Sequence, residues 1–535
     1  MPTLLLACLI VITTGSFALA QEPPGSPDTT APRDEWPRTR PERTDHAETS
    51  TLADVNAFLE QLTALGAPIA RSVLGLSERD REIPLVVCAS PMVADGAEAR
   101  ASGRLVIYLQ ANIHGGEIEG KEAVLMLLRE IATGEHPQWL ARCVFVCTPI
   151  YNVDGNEAWG DGLEHRSHQN GPARVGKRAN GSGLDLNRDC QKAETPEMRA
   201  ALTEIYRKWD PHVVLDLHTT NGTRHGYTLT YAPPLHPDTD PRVLALARDT
   251  ILPAARARMK KEWGEETNDY GNVDERDGTR GWFTFSPLGR YVSNYVGLRN
   301  RIGILVEATS YLPLETRITS TLRFMTTVID LSTAEAGAIA AACRDADRDA
   351  LEGKLPLLST SFVVASRGEE PVPLEKEGSG RAPHEAPGPL ISETLPIHDR
   401  FASKSTREAP RAYWVPAAES RILSLLRRHG ATVEPFRPET SDAPPVAIER
   451  FHLESVSLAA RAFQGHRAVR VRGVWQEGEM SAEEASAGYL VPMRQPLARL
   501  IFHLLEPDLE DGAIAWEFAE GELEEGKLAP ILRLR

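Results

Sequence analysis

The sequence predicts an α/β protein: a mixed, partly parallel sheet flanked by helices, with a smaller α+β unit towards the C-terminus. Three observations carry this reading. Short apolar runs alternate with stretches of helical periodicity through the first 350 residues. Residues 367–398 interrupt the pattern with Pro, Gly and Glu, as an interdomain linker or long exposed loop would. Beyond them strand-like and helix-like runs resume without that alternation. A chain of 535 residues is too long for one ordinary domain, which agrees.

The elements follow in order. Residues 1–20 carry no side-chain charge; an apolar run from Leu4 to Thr13 leads to Ala18-Leu19-Ala20, a small-x-small pattern before Gln21. This predicts a cleaved signal peptide and an exported protein, with no stable membrane insertion after cleavage. Residues 21–48, rich in Pro, Arg, Asp and Thr, predict a disordered lead-in. The first buried strand is Arg104–Gln110, followed by a helix over Glu119–Thr133. Further strands are predicted at Cys143–Cys147, Val213–Leu217 and Gly303–Val306, with helices over Glu197–Lys208 and Thr319–Asp349. The first globular region is thus placed at 49–350 and a smaller α+β domain at 351–535. In the latter, Ala412–Val415, Thr432–Phe436 and Ala468–Trp475 read as strands. Ala418–His429, stopped by Gly430, and Leu497–Leu505 read as helices.

Composition removes several function classes. Hydrophobic residues at 41% and charged residues at 25% are those of a soluble globular chain. Acidic groups outnumber basic ones 75 to 59, a net charge of −16, which argues against nucleic-acid binding. Beyond the signal segment the cysteines are Cys88, Cys143, Cys147, Cys190 and Cys343, an odd number with no CxxC pair, so a cysteine zinc site is not expected. Cys143 and Cys147 fall on one face of a strand and are expected to be buried packing residues.

Chemistry gathers at strand ends. The first strand runs into Asn112-Ile113-His114-Gly115-Gly116-Glu117, a His and a Glu three apart where glycines permit a tight junction. Val213–Leu217 ends in His218, and Gly303–Val306 ends in Glu307. In open α/β sheets, sites lie outside the carboxyl ends of strands, where all four groups fall. His114, Glu117 and His218 form a two-His, one-Glu set of the kind that holds zinc and leaves a fourth position for water. Water on zinc is acid enough to attack a carbonyl near neutral pH, and Glu307 is placed to accept its proton.

These residues, with two further segments, resemble the zinc carboxypeptidases related to pancreatic carboxypeptidase A, over about residues 52–346. His114-Gly-Gly-Glu117 is similar to that family's H-x-x-E zinc pair. Pro149-Ile-Tyr-Asn152-Val-Asp154-Gly155 is similar to its P-x-x-N-P-D-G segment, with Val153 in place of proline. Gly183-Leu-Asp185-Leu-Asn187-Arg188 is similar to its G-x-D-x-N-R segment. Asp216-Leu-His218 and Leu305-Val-Glu307 resemble the strand ends carrying the third ligand and the catalytic glutamate.

The resemblance implies one zinc ion per chain and a peptide substrate with a free C-terminal carboxylate. Asn187 and Arg188 would bind that carboxylate, a guanidinium being suited to its two oxygens. Asp185 would hydrogen-bond His114 and fix its ring. An arginine between the two motifs would polarise the scissile carbonyl. Arg166 is nearest in spacing, with Arg174 and Arg178 as competitors. Tyr295, ahead of Tyr291, would supply the family's mobile tyrosine, and His225 and Tyr227 would line the cleft. Gly116 stands where the pancreatic enzymes carry an arginine. The implied function is an exported zinc metallocarboxypeptidase that hydrolyses the C-terminal peptide bond. The alternative is a zinc amidohydrolase of the aspartoacylase and succinylglutamate desuccinylase type, acting on N-acyl amino acids.

Overall fold

The computed structural model describes residues 35–437 and 444–535, so the signal segment lies outside the described residues. Its centre is an eight-stranded mixed sheet. In chain order its strands are β1 (Ile69–Leu76), β2 (Glu82–Cys88), β3 (Leu105–Ala111), β4 (Cys143–Thr148), β5 (Val213–Thr219), β6 (Leu229–Ala232), β7 (Thr267–Asp269) and β8 (Ile302–Ala308). In space they run β1-β2-β4-β3-β5-β8-β6-β7. The four central strands β4, β3, β5 and β8 are mutually parallel. The β3 and β4 strands are buried along their whole length, which is why they read as unbroken apolar runs.

From β3 the chain steps to β4 on one side and later returns to β5 on the other. The carboxyl ends of β3 and β5 therefore open onto a crevice at a topological switch point. Helix Glu119–Ala132 packs against the 21-residue helix Leu314–Ala334. A second helix, Ala336–Leu351, follows after a break at Glu335, so the predicted tract 319–349 is two helices. The predicted helix at 197–208 is Pro196–Ala201 continuing into a π turn over Leu202–Arg207. All five cysteines of the described residues are free and buried.

Two sequence expectations are corrected. Residues 21–34 of the expected lead-in lie outside the described residues, and its remainder, 35–48, is packed and not disordered. Trp36 is buried, a capped helical turn forms at Arg40–Arg43, and Arg129 donates to both carboxylate oxygens of Glu42. Residues 367–398 are no linker. They form a hairpin, Glu369–Glu375 against Leu390–His398, whose second strand pairs with Thr279–Phe283. The hairpin packs Val372, Leu374, Leu395 and Ile397 onto Tyr227 and Trp282.

The C-terminal region builds its own six-stranded sheet, every recorded pair of which is antiparallel. Its strands include Ala412–Pro416, Leu528–Leu534 and the long hairpin Val446–Leu458/Val469–Met480. Helices Ser420–His429 and Ala498–Leu505 cover it. The hydrophobic core does not stop at the boundary: one cluster runs from the central sheet through Leu425, Ile501 and Phe502.

Candidate active site

The loop after β3 is shaped by close backbone contact. A Cβ on Gly115 would lie 2.1 Å from the carbonyl carbon of Gly155, so the chain there must be glycine. Asn112 holds a positive φ of 58°, and its carboxamide donates to the carbonyls of His114, Gly115 and Glu117. Asn152 ties the neighbouring segment down, donating to the carbonyls of Ile113 and Arg178 and accepting from the N–H of Gly155. Asp154 accepts from Ser77 and from the N–H of Arg79. The 149–155 motif therefore acts as a scaffold beneath the loop. A Cβ on Gly116, before Glu117, would lie 2.9 Å from the backbone carbonyl oxygen of Gly176, so this position also favours glycine.

His114, Glu117 and His218 converge at the buried end of the crevice. His114 Nδ1 is 3.0 Å from Glu117 Oε1, His218 Nδ1 is 2.9 Å from Glu117 Oε2, and the two Nδ1 atoms are 3.3 Å apart. The opposite ring nitrogens are occupied. His114 Nε2 donates to Asp185 Oδ1 at 3.0 Å, and His218 Nε2 donates to Asp216 Oδ2 at 2.7 Å. Carboxylates on Nε2–H fix both tautomers and leave the two Nδ1 lone pairs facing one point beside a carboxylate. Bare lone pairs do not settle at 3.3 Å without a cation or proton between them. The spacings also suit a tetrahedral zinc set, whose ligand atoms stand about 3.4 Å apart for bonds of about 2.1 Å. Arg178 is drawn to the same atoms, its NH1 lying 3.2 Å from His114 Nδ1. The donor set fits a divalent zinc ion.

A second cluster, His236, Asp238 and His503, does not fit a metal. The His236 Nδ1 lone pair accepts from the N–H of Asp238. Asp238 in turn accepts from Ser359 and from His503 Nε2 at 2.6 Å. His236 Nδ1, the Asp238 carboxylate and His503 Nε2 are thus already engaged within the protein.

Glu307 is the register partner of His218 across β8 and β5. Its Oε2 is buried with no hydrogen-bond partner among the described residues. Burial pushes its carboxyl up to about 8; His218 opposes the rise and Glu117 adds to it. Burial also penalises charge on Glu117, but His114 and Arg166 outweigh it and hold that carboxyl well below its ordinary value. Asp185 likewise stays ionised against burial, through His114, Arg178 and Arg188.

The crevice holds a cavity of about 140 Å³, and Asn187, Arg188, Arg178 and Glu307 line it with the ligand set. Asp185 caps the turn Leu186–Arg188 and so presents both neighbours. Asn187 accepts from the N–H of Val292, and Arg188 lies 4.4 Å over the ring of Tyr291.

Four residues expected in the cleft lie elsewhere. Arg166 does not face the cleft. Its guanidinium is buried behind Glu117, donating to Oε1 at 2.9 Å and to the carbonyl of Thr219, so Arg178 is the cleft arginine. Arg174 is an exposed residue of a short edge pairing. Tyr295 is wholly buried one helical turn past Tyr291, its hydroxyl on His429. Tyr291 and Tyr270 are the tyrosines that line the cleft. His225 and Tyr227 pack in the aromatic cluster under the 369–398 hairpin, not in the cleft. The partner of His218, Asp216, went unassigned in the sequence. The signal was its place two residues earlier in one strand, which puts both side chains on one face.

Comparison with known proteins finds zinc carboxypeptidases. Residues 55–223 match the family model described as zinc carboxypeptidase. The chain is 22% identical over 517 residues to carboxypeptidase 2 of Trichophyton rubrum, covering 90% of this chain and 86% of the relative. Among solved structures, a metallo-carboxypeptidase from Burkholderia cenocepacia aligns over 54% of this chain and 70% of its own, at 16% identity and TM-score 0.39. Carboxypeptidase A from Helicoverpa armigera aligns over 55% and 75%, at 14% identity and TM-score 0.39. The stretch matched by the zinc carboxypeptidase family model, residues 55–223, is the one that carries His114, Glu117, the 149–155 scaffold, Asn187, Arg188 and His218.

Proposed function

We propose that the protein is exported and removes the C-terminal residue of peptides that carry a free carboxylate. The observation that supports this most is the meeting, in one crevice, of an aimed two-His, one-Glu set, an unpartnered glutamate beside it and the Asn187–Arg188 pair. Zinc held by His114, Glu117 and His218 would supply an acidified water and a Lewis acid for the carbonyl.

The chain's own groups divide the remaining work. Glu307 takes the proton of the attacking water on its free oxygen and returns it to the leaving amine, a task suited to a buried carboxyl whose proton affinity is raised above the ordinary carboxylate range. Arg188 and Asn187 bind the terminal carboxylate, and the stack on Tyr291 holds the guanidinium plane in place. Arg178 sits over the ligand set, where its charge stabilises the oxygen of the attacked carbonyl. Asp185 and Asp216 orient the imidazoles. Arg166 pins Glu117 from behind.

The test joins metal content to a paired assay. Purified protein is analysed for zinc, then given matched peptides with free and amidated C-termini, with and without a chelator. One zinc per chain, release of the last residue from free-carboxylate peptides alone, and loss on chelation are the expected results. Zinc without cleavage of any peptide would refute the proposal and direct attention to N-acyl amino acids.

A further inference from the structure

The C-terminal sheet sends one element into the first region. Its long hairpin ends in the turn Phe463-Gln464-Gly465-His466, where Phe463 and His466 exchange backbone hydrogen bonds of 2.7 and 3.1 Å. Both central residues are left-handed, Gln464 at φ 51° and Gly465 at φ 83°. This two-residue turn favours Asn or Gly at its first central position; a glutamine there is strained. Its long side chain makes a specific contact. The Gln464 Oε1 accepts from the backbone N–H of Asp185 at 2.8 Å, a contact across 279 residues of sequence.

Asp185 is the residue on which the site hinges. Its Oδ1 holds His114 Nε2 and the N–H of Asn187, its Oδ2 holds Arg178, and it caps the turn presenting Asn187 and Arg188. The tip is itself anchored, since His466 Nε2 is 2.6 Å from Glu194 Oε2. It reaches the same place from another side as well. The Arg290 guanidinium lies over Trp516 at 4.9 Å and over Phe463 at 5.7 Å, and the next residue, Tyr291, stacks on Arg188. The turn thus bears on the carboxylate-binding pair both through Asp185 and through Tyr291.

We infer that Gln464 is a positioning residue: the C-terminal region completes the active site by fixing the Asp185–Arg188 turn, and with it the ring of His114. The inference rests on the reading of Asn187 and Arg188 as the carboxylate site, but its first readout does not. In the full-length protein, Gln464→Gly removes the carboxamide while supplying the residue that best tolerates the left-handed backbone, so folding and positioning separate. Its melting temperature should equal or exceed the parent's. Amide exchange of the peptide covering 185–188 should quicken, and zinc affinity by chelator competition should fall by about tenfold, the low end for groups that orient a ligand. KM for free-carboxylate peptides should rise by more than kcat falls. The exposed strand substitution Val474→Ala should change none of these. Unchanged exchange at 185–188, or unchanged zinc affinity, in Gln464→Gly would overturn the inference. Failure of the parent to cleave peptides would instead refute the function proposed above, leaving the exchange and zinc readouts to decide on Gln464.

Discussion

Strand register sets Glu307 beside His218, and burial leaves its second oxygen free, so removing its charge should stop turnover without releasing the metal. Glu307→Gln is expected to keep its zinc and lose about 10²- to 10⁴-fold in kcat. Parent-like turnover would remove the glutamate from the mechanism. Asp216 acts through another atom: it holds the Nε2–H of His218 and is itself held by Gln110 at 3.1 Å. Asp216→Asn should therefore weaken zinc binding by about 10- to 100-fold in a chelator competition. Arg188→Ala should raise KM for free-carboxylate peptides by a larger factor than it lowers kcat; an unchanged KM would reject the clamp. The ligand set was legible because each member closes a strand or opens the helix after one, where sequence order implies spatial place. The choice among arginines was not. Arg166 and Arg178 both lie on the loop between two motifs, and only its path puts one behind Glu117 and the other over it. Nor could spacing separate Tyr291 from Tyr295, one turn apart on faces that meet the cleft and the core.

At the scale of elements, composition misled where pattern was faint. Residues 367–398 look like a linker because Pro371 and Pro373 interrupt them, yet both sit on the outermost strand of a four-stranded sheet, where a missing N–H costs no ladder bond. Between and beyond them Val372 and Leu374 alternate inward, a period-2 signal too short to stand out. The central sheet was legible for the opposite reason. Its parallel strands are buried on both faces and must be apolar throughout. The hairpin's anchor is Trp282, fully buried against Val372, Leu374, Leu395 and Ile397 and donating to the carbonyl of Asp269. Trp282→Ala leaves a cavity of indole size and is expected to cost about 3–5 kcal/mol in denaturant unfolding. A loss within about 0.5 kcal/mol would mean that the hairpin is not packed there.

Across the whole molecule the two regions are joined by buried polar contacts as well as by a common core. Tyr295 and Arg299 meet His429, Arg290 meets Asp511, and Arg499 meets Asp240. None was legible in the sequence, since each pairs residues more than a hundred positions apart that become neighbours only after both sheets form. Such a seam responds to acid. His429 has Nδ1 on the Tyr295 hydroxyl at 2.9 Å and Nε2 on the carbonyl of Gln191 at 2.8 Å, and burial pushes its pKa down to about 3. Burial likewise lowers His236, at the same seam, to about 3. Each is neutral in the fold and binds a proton once unfolded. Between the ordinary value of 6.5 and the folded value, the unfolded chain therefore holds more protons, and stability falls as pH falls through that window. One such histidine contributes a slope of about 1.4 kcal/mol per pH unit below its unfolded pKa. Urea unfolding of the parent between pH 7.5 and 4.5 should show stability declining from about pH 6.5. His429→Gln, which cannot titrate, should start lower but decline less steeply by roughly that one-proton slope. Equal slopes in parent and variant would show that His429 does not carry the acid response, whatever the substitution costs at neutral pH.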